Sequence, residues 1–135
     1  MSKIGIAIYK NQIIYCVINN EKELVKLNSL TYNFDSPRLM NDFRNLFMEI
    51  IDEYKPKQIA FKASLDLKLE QFKYLYYPIG ILIELCEHYN ISYIERSSKW
   101  INIKNKYKLE VIKGVYPTIK FNNQNIQAAV IAYFD

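Results

Sequence analysis

The sequence predicts an α/β domain built on one mixed sheet of five strands, order 3-2-1-4-5, with helices on both faces. Three observations lead there. The first strand reads Lys3-Ile4-Gly5-Ile6-Ala7-Ile8-Tyr9, a run too apolar to have one wet face, so it belongs mid-sheet with both sides covered. Two further strand-like runs follow at once, joined by short polar turns as in an antiparallel meander. After them helical and strand periods alternate, and a strand, helix, strand unit places its second strand parallel to the first through a right-handed crossover.

The three opening strands are Lys3 to Tyr9, Gln12 to Ile18 and Leu24 to Tyr32. Lys10-Asn11 suits a tight hairpin and Asn19-Asn20-Glu21-Lys22 a longer one. Asp35-Ser36-Pro37 reads as a helix start, because a side-chain oxygen can cap free amides and proline fits the first turn. Leu39, Phe43, Leu46, Phe47, Ile50, Ile51 and Tyr54 then recur at spacings of three and four, giving one apolar stripe. Pro56 is expected to end that helix, and Gln58 to Lys62 to form the buried fourth strand.

Leu65 to Tyr77 mixes Lys68, Glu70 and Lys73 with apolar residues, and Pro78 should kink or restart a helix that continues to about Tyr89. Asn90 closes it. Ile91 to Glu95 is the fifth strand. Ser97-Ser98 can cap a short amphipathic helix holding Trp100, Ile101 and Ile103, followed by a basic segment and by loop chemistry at Tyr116-Pro117-Thr118 and Asn122-Asn123. A closing helix, Asn125 to Phe134, carries Ile126, Ala129, Val130 and Tyr133 on one face.

At 135 residues, half of them hydrophobic, the chain forms one domain with a core that needs no metal or disulfide staple. Its 12 Tyr and 7 Phe must line that core or stand half out of it with hydroxyls in water. Cys16 and Cys86 lie among apolar neighbours and read as small buried hydrophobes rather than a redox pair or ligands. Without a signal peptide, a lipidation motif or an apolar run near ~18 residues, an intracellular, cytoplasmic protein with no membrane partner is expected. The formal charge of +4 is unevenly spread. Seven basic residues (Arg96, Lys99, Lys104, Lys106, Lys108, Lys113, Lys120) face only Glu110 between Arg96 and Lys120, which leaves −2 for the rest. The abundance of Lys, Ile, Asn and Tyr suggests an AT-rich genome, which lowers the weight of any single lysine.

The order of elements and several segments resemble the ribonuclease H-like superfamily, in particular its RuvC branch of Holliday-junction resolvases. Ile4-Gly5-Ile6-Ala7 is similar to that branch's opening strand. Leu67-Lys68-Leu69 with Ile79-Gly80-Ile81-Leu82-Ile83 resembles its glycine-containing central helix. Ser92-Tyr93-Ile94-Glu95 running into Ser98-Lys99-Trp100-Ile101 resembles its fifth strand and basic helix, and Gln127-Ala128-Ala129-Val130-Ile131-Ala132 its closing helix. The resemblance implies a ribonuclease H-like fold and a site where carboxylates from separate elements hold divalent ions, stabilising attacking water and leaving oxygen together.

Carried over position by position, the first-strand aspartate falls at Ala7, the fourth-strand carboxylate at Lys62 or Ala63, and the closing-helix acids near Asn125 and Ala128. A methyl group cannot coordinate Mg2+, a lysine repels it, and an amide binds it weakly, so neither a metal nor another cofactor is expected. Asp66, Glu70, Glu95 and Asp135 could rebuild a site elsewhere, although a solvated or helix-start charge explains each of them more simply. His88, in the last turn of a helix, fits the dipole there better than a catalytic role. No glycine-rich phosphate loop, zinc spacing or nucleophile motif is present.

The surviving functional signal is the basic region with interleaved aromatics. Lysine and arginine neutralise phosphates and aromatics stack on unpaired bases. The reading is thus a catalytically inactive RuvC-like domain binding DNA or RNA through Lys62, Arg96, Lys99, Trp100, Lys104, Lys106 and Lys108. The alternatives are a non-enzymatic protein-interaction module, with self-association as a homodimer or partner contact through Tyr74 to Tyr77, and a divergent nuclease with a relocated metal site.

Overall fold

A computed structural model describes residues 2–9, 11–33, 35–63, 72–101, 107–122 and 125–135. Its strands are β1 (Ser2–Tyr9), β2 (Gln12–Asn19), β3 (Leu24–Thr31), β4 (Pro56–Ala63) and β5 (Ser92–Ser97). Its helices are α1 (Leu39–Tyr54), α2 (Phe72–His88), α3 (Ser98–Ile101), α4 (Tyr107–Val115) and α5 (Asn125–Phe134).

Alternation along β1 sets the layers. Ile4 and Ile6 point to one side, where Phe43, Phe47, Ile50 and Ile51 of α1 and Ile79, Leu82 and Leu85 of α2 cover them. Ala7 points to the other, into a core made by the alanine-rich α5 with Ile101 of α3 and Ile112 of α4. Neighbouring strands keep step: Ile13, Tyr15 and Val17 of β2 join the first cluster, and Ile14, Cys16 and Ile18 join the second. Strands buried on both faces need apolar residues at consecutive positions, the pattern expected of β1 and found in β2 as well.

The sheet runs β3-β2-β1-β4-β5. β1 pairs antiparallel with β2, and β2 with β3, while β4 is parallel to both β1 and β5. The expected mixed sheet and strand order are therefore present. Among the described residues no helix is long and apolar enough to cross a membrane.

Gly5 decides how closely α5 sits. A Cβ at that position would lie 2.6 Å from the Ala132 backbone nitrogen and closer still to the Ala128 carbonyl oxygen. Bare backbone on the strand and methyl side chains on the helix let the two main chains approach, which leaves no room for a larger residue.

Several boundaries differ from expectation. α1 starts at Leu39 with no side-chain cap, because Ser36 accepts from the Arg38 amide at 3.3 Å and donates to Asp42 at 2.7 Å in the preceding turn. Pro56 does not end α1; Lys55 does, at φ 44°, and Pro56 opens β4, where a missing N–H costs little. Pro78 lies inside a continuous α2. Asn90, at φ 56°, does close α2: the Ile91 amide donates to the Cys86 carbonyl at 2.8 Å around it. β5 runs two residues beyond Glu95, which brings Arg96 onto the sheet. α4 forms where the sequence was read as a basic segment, with Leu109, Ile112 and Tyr116 turned into the second core at helical spacing. Lys10, the segment 64–71 and Ile103 lie outside the described residues.

Candidate nucleic-acid interface

β4 and β5 end side by side, with Lys62 directly opposite Arg96 across the parallel pair. Their neighbours two residues back, Ala60 and Ile94, lie in the core beside α5, so both cations project toward that helix. Like charges opposite one another repel, and the two side chains resolve this by reaching for different parts of α5.

Lys62 Nζ donates to Gln127 Oε1 at 2.9 Å, in the first turn of the helix. Arg96 reaches the far end, where Nε donates to Asp135 Oδ1 at 3.0 Å and Nη2 closes a two-pronged pair with the same carboxylate. Asp135 is almost fully buried, its side chain 3% exposed against 26% for Arg96. These hydrogen bonds raise the already high arginine pKa. Lys3 Nζ donates to the Asp135 main-chain oxygen, tying the start of β1 to the same place.

Trp100, on α3, serves as a seat for cations. Lys108 Nζ lies 3.3 Å from its ring centroid and the Arg96 guanidinium carbon 4.3 Å from it. Lys108 Nζ also donates to the Trp100 carbonyl at 3.2 Å. Burial lowers the Lys108 pKa, and the repulsion of Arg96 lowers it further, partly offset by Asp135. The aromatic side chain that stands out from this cluster is Tyr107, 58% exposed, with its ring 6.5 Å from that of Phe134. Lys99 is exposed.

The positions carried over for carboxylates have other surroundings. Ala7 and Ala128 are buried at 3% and 0% exposure, so their methyl groups belong to core packing. Asn125 is occupied with the start of α5: its Oδ1 accepts from the Asn122 amide at 2.6 Å, and Asn122 Oδ1 accepts from the Asn125 amide at 2.7 Å. Lys62 is half-buried, and loss of solvation lowers its pKa. The Ala63 side chain, Asp66, Glu70, Lys104 and Lys106 lie outside the described residues. Glu95 is exposed and stands out of step with Arg96, on the opposite face of β5. Asp135 is committed to Arg96 rather than to a cluster of acids. Among the described residues, no three His, Cys, Asp or Glu side chains gather where they could hold a metal ion.

The structure thus brings Lys62, Arg96, Trp100 and Lys108 together around α5, while Lys99, on α3, is exposed. It also shows what sequence reasoning missed, namely Gln127 as the acceptor for Lys62, and the pairing of Asp135 with Arg96 rather than with a metal. Gln127 offered one signal, as the polar interruption at the start of an alanine-rich helix.

This fold is that of the ribonuclease H-like, RuvC-type Holliday-junction resolvases. Thermus thermophilus RuvC in complex with Holliday junction substrate superposes with a TM-score of 0.82 at 12% identity, over 98% of this chain and 90% of that one. The yeast mitochondrial Holliday junction resolvase gives 0.66 at 14% identity, covering 97% of this chain and 75% of that one. The fowlpox virus resolvase, in complex with Holliday junction DNA, gives 0.62 at 10%, covering 96% and 94%. No protein-family model and no curated protein matches the chain by sequence.

Proposed function

We propose that this chain is a nucleic-acid-binding domain on a RuvC-like scaffold that has given up metal-dependent strand cleavage. The observation that carries the reading is the contrast between scaffold and site. A resolvase fold extends over 98% of the chain, and the positions onto which the resemblance carries the metal-binding acids hold the buried methyl groups of Ala7 and Ala128 and the ammonium of Lys62. Methyl groups offer no lone pair to a hard cation, and an ammonium repels it.

The binding half of the proposal is supported by the concentration of charge. Lys62 stands opposite Arg96, Arg96 and Lys108 share the Trp100 ring, and among the described residues Asp135 forms an ion pair with Arg96 alone of these three. Two of the similar structures hold a Holliday junction, which makes four-way DNA the first ligand to try.

The test is a fluorescence-anisotropy titration of four-way, duplex and single-stranded DNA and of RNA at several salt concentrations, followed by incubation with Mg2+ or Mn2+ and a denaturing gel. Affinity should fall steeply with salt as counterions are released, and every strand should remain intact. Absence of binding at low ionic strength removes the first half of the proposal. Metal-dependent nicking removes the second.

A further inference from the structure

Four cations converge on α5: Lys3, Lys62, Arg96 and Lys108, each in a hydrogen bond that is partly shielded from water. Among the described residues one side-chain carboxylate, that of Asp135, meets them there, and it pairs with Arg96. Lys62 is bonded at the opposite end of the helix, to Gln127. The ion pairs among the described residues are Arg44 with Glu84, Arg96 with Asp135, and Lys113 with Glu110, so Lys62 has an amide oxygen where the other inward cation of the β4–β5 pair has a carboxylate.

Holding an ammonium half out of water against a neutral acceptor is unfavourable. Lys62 does not extend along the surface into solvent, as long side chains do when nothing fixes them; it turns onto Gln127. An ammonium has three N–H donors, and Gln127 takes one. The remaining hydrogen-bonding capacity, and a charge that no acid among the described residues balances, both call for an anion.

We propose that Lys62, held on Gln127, anchors a discrete oxyanion site at the adjoining ends of β4 and β5 that takes a single phosphate group without any metal ion. This rests on the nucleic-acid reading for its natural ligand, a backbone phosphodiester, but not for its chemistry. The site is separate from diffuse attraction by the exposed lysines: inorganic phosphate alone occupies it, and substitution of Lys62 removes it while the remaining basic surface stays in place.

The test uses the full chain, thermal unfolding and inorganic phosphate, with sodium chloride at matched ionic strength as control. Wild-type protein should gain about 4 °C near ten times the dissociation constant. Lys62→Met should have a higher midpoint than wild type without phosphate, since it removes a half-buried charge held on a neutral acceptor, and should show no phosphate-specific gain. Lys62→Arg should keep at least part of it.

A Lys62→Met protein less stable than wild type would mean that the ammonium already has an acidic partner, and would overturn the proposal. An equal phosphate response in wild type and Lys62→Met would overturn it as well. The two ideas fail separately: a Lys62-dependent phosphate response without DNA or RNA binding leaves the anion site standing and sinks the nucleic-acid reading. Binding of nucleic acid with a Lys62-independent phosphate response does the reverse.

Discussion

The Arg96–Asp135 pair shows how much a single contact contributes at the residue scale. The Asp135 carboxylate is nearly buried and the guanidinium fork supplies its charge partner, so replacing arginine strands an acid in a poorly solvated place. Arg96→Met is expected to cost about 2–4 kcal/mol in urea unfolding, more than an exposed lysine would. The thiols give a pH dependence. Burial pushes Cys16 up to about 12 and Cys86 to about 11, from an ordinary value of 9.0. The folded state thus holds both protons at a pH where the unfolded chain releases them. Their contribution to stability is complete below pH 9 and lost as pH rises toward 11–12. Denaturation midpoints measured from pH 8 to 10.5 should fall, and the fall should be shallower in Cys16→Ala relative to its own pH 8 value.

Two glycines separate at the scale of elements. Gly5 on β1 is where α5 touches the sheet, and Gly80 on α2 has no atom within 4 Å of a built Cβ. Gly5→Ala should therefore destabilise by about 1–3 kcal/mol or more, because the new methyl meets backbone on a rigid helix rather than a side chain that can turn away. Gly80→Ala should stabilise by about 0.5–1 kcal/mol through helix propensity alone. Opposite signs in chemical denaturation would bear out the packing; equal effects would mean that α5 does not sit on β1 as described. Element identities were legible where periodicity is strong. α5 was read from Asn125 to Phe134 and observed over the same residues, because its apolar pattern is local. α4 is not legible because its inward residues, Leu109 and Ile112, with Tyr116 just beyond its end, are interleaved with lysines that draw attention to charge instead.

At the scale of the molecule, basic residues fall into two kinds that composition cannot tell apart. Lys62, Arg96 and Lys108 are held by internal partners, whereas Lys99 is exposed. Under the proposed function Lys99→Ala should weaken binding about equally for all nucleic-acid sequences and reduce the slope of log affinity against log salt by about one. An unchanged slope would place the phosphates on another surface. The same distinction applies to Trp100, whose ring already seats Lys108 and Arg96.

What the sequence determined by itself was the architecture. Apolar residues at consecutive positions mark strands covered on both faces, spacings of three and four mark helices, and the handedness of crossovers leaves few orders for five strands, among which the resemblance to the ribonuclease H-like fold implies 3-2-1-4-5. Only the tertiary structure decided which charges meet. Lys62 finds Gln127 across 65 residues of sequence, Arg96 finds Asp135 across 39, and Lys3 finds the same residue across 132. Such pairings depend on where β1, β4, β5 and α5 converge, and no periodicity along the chain encodes that distance.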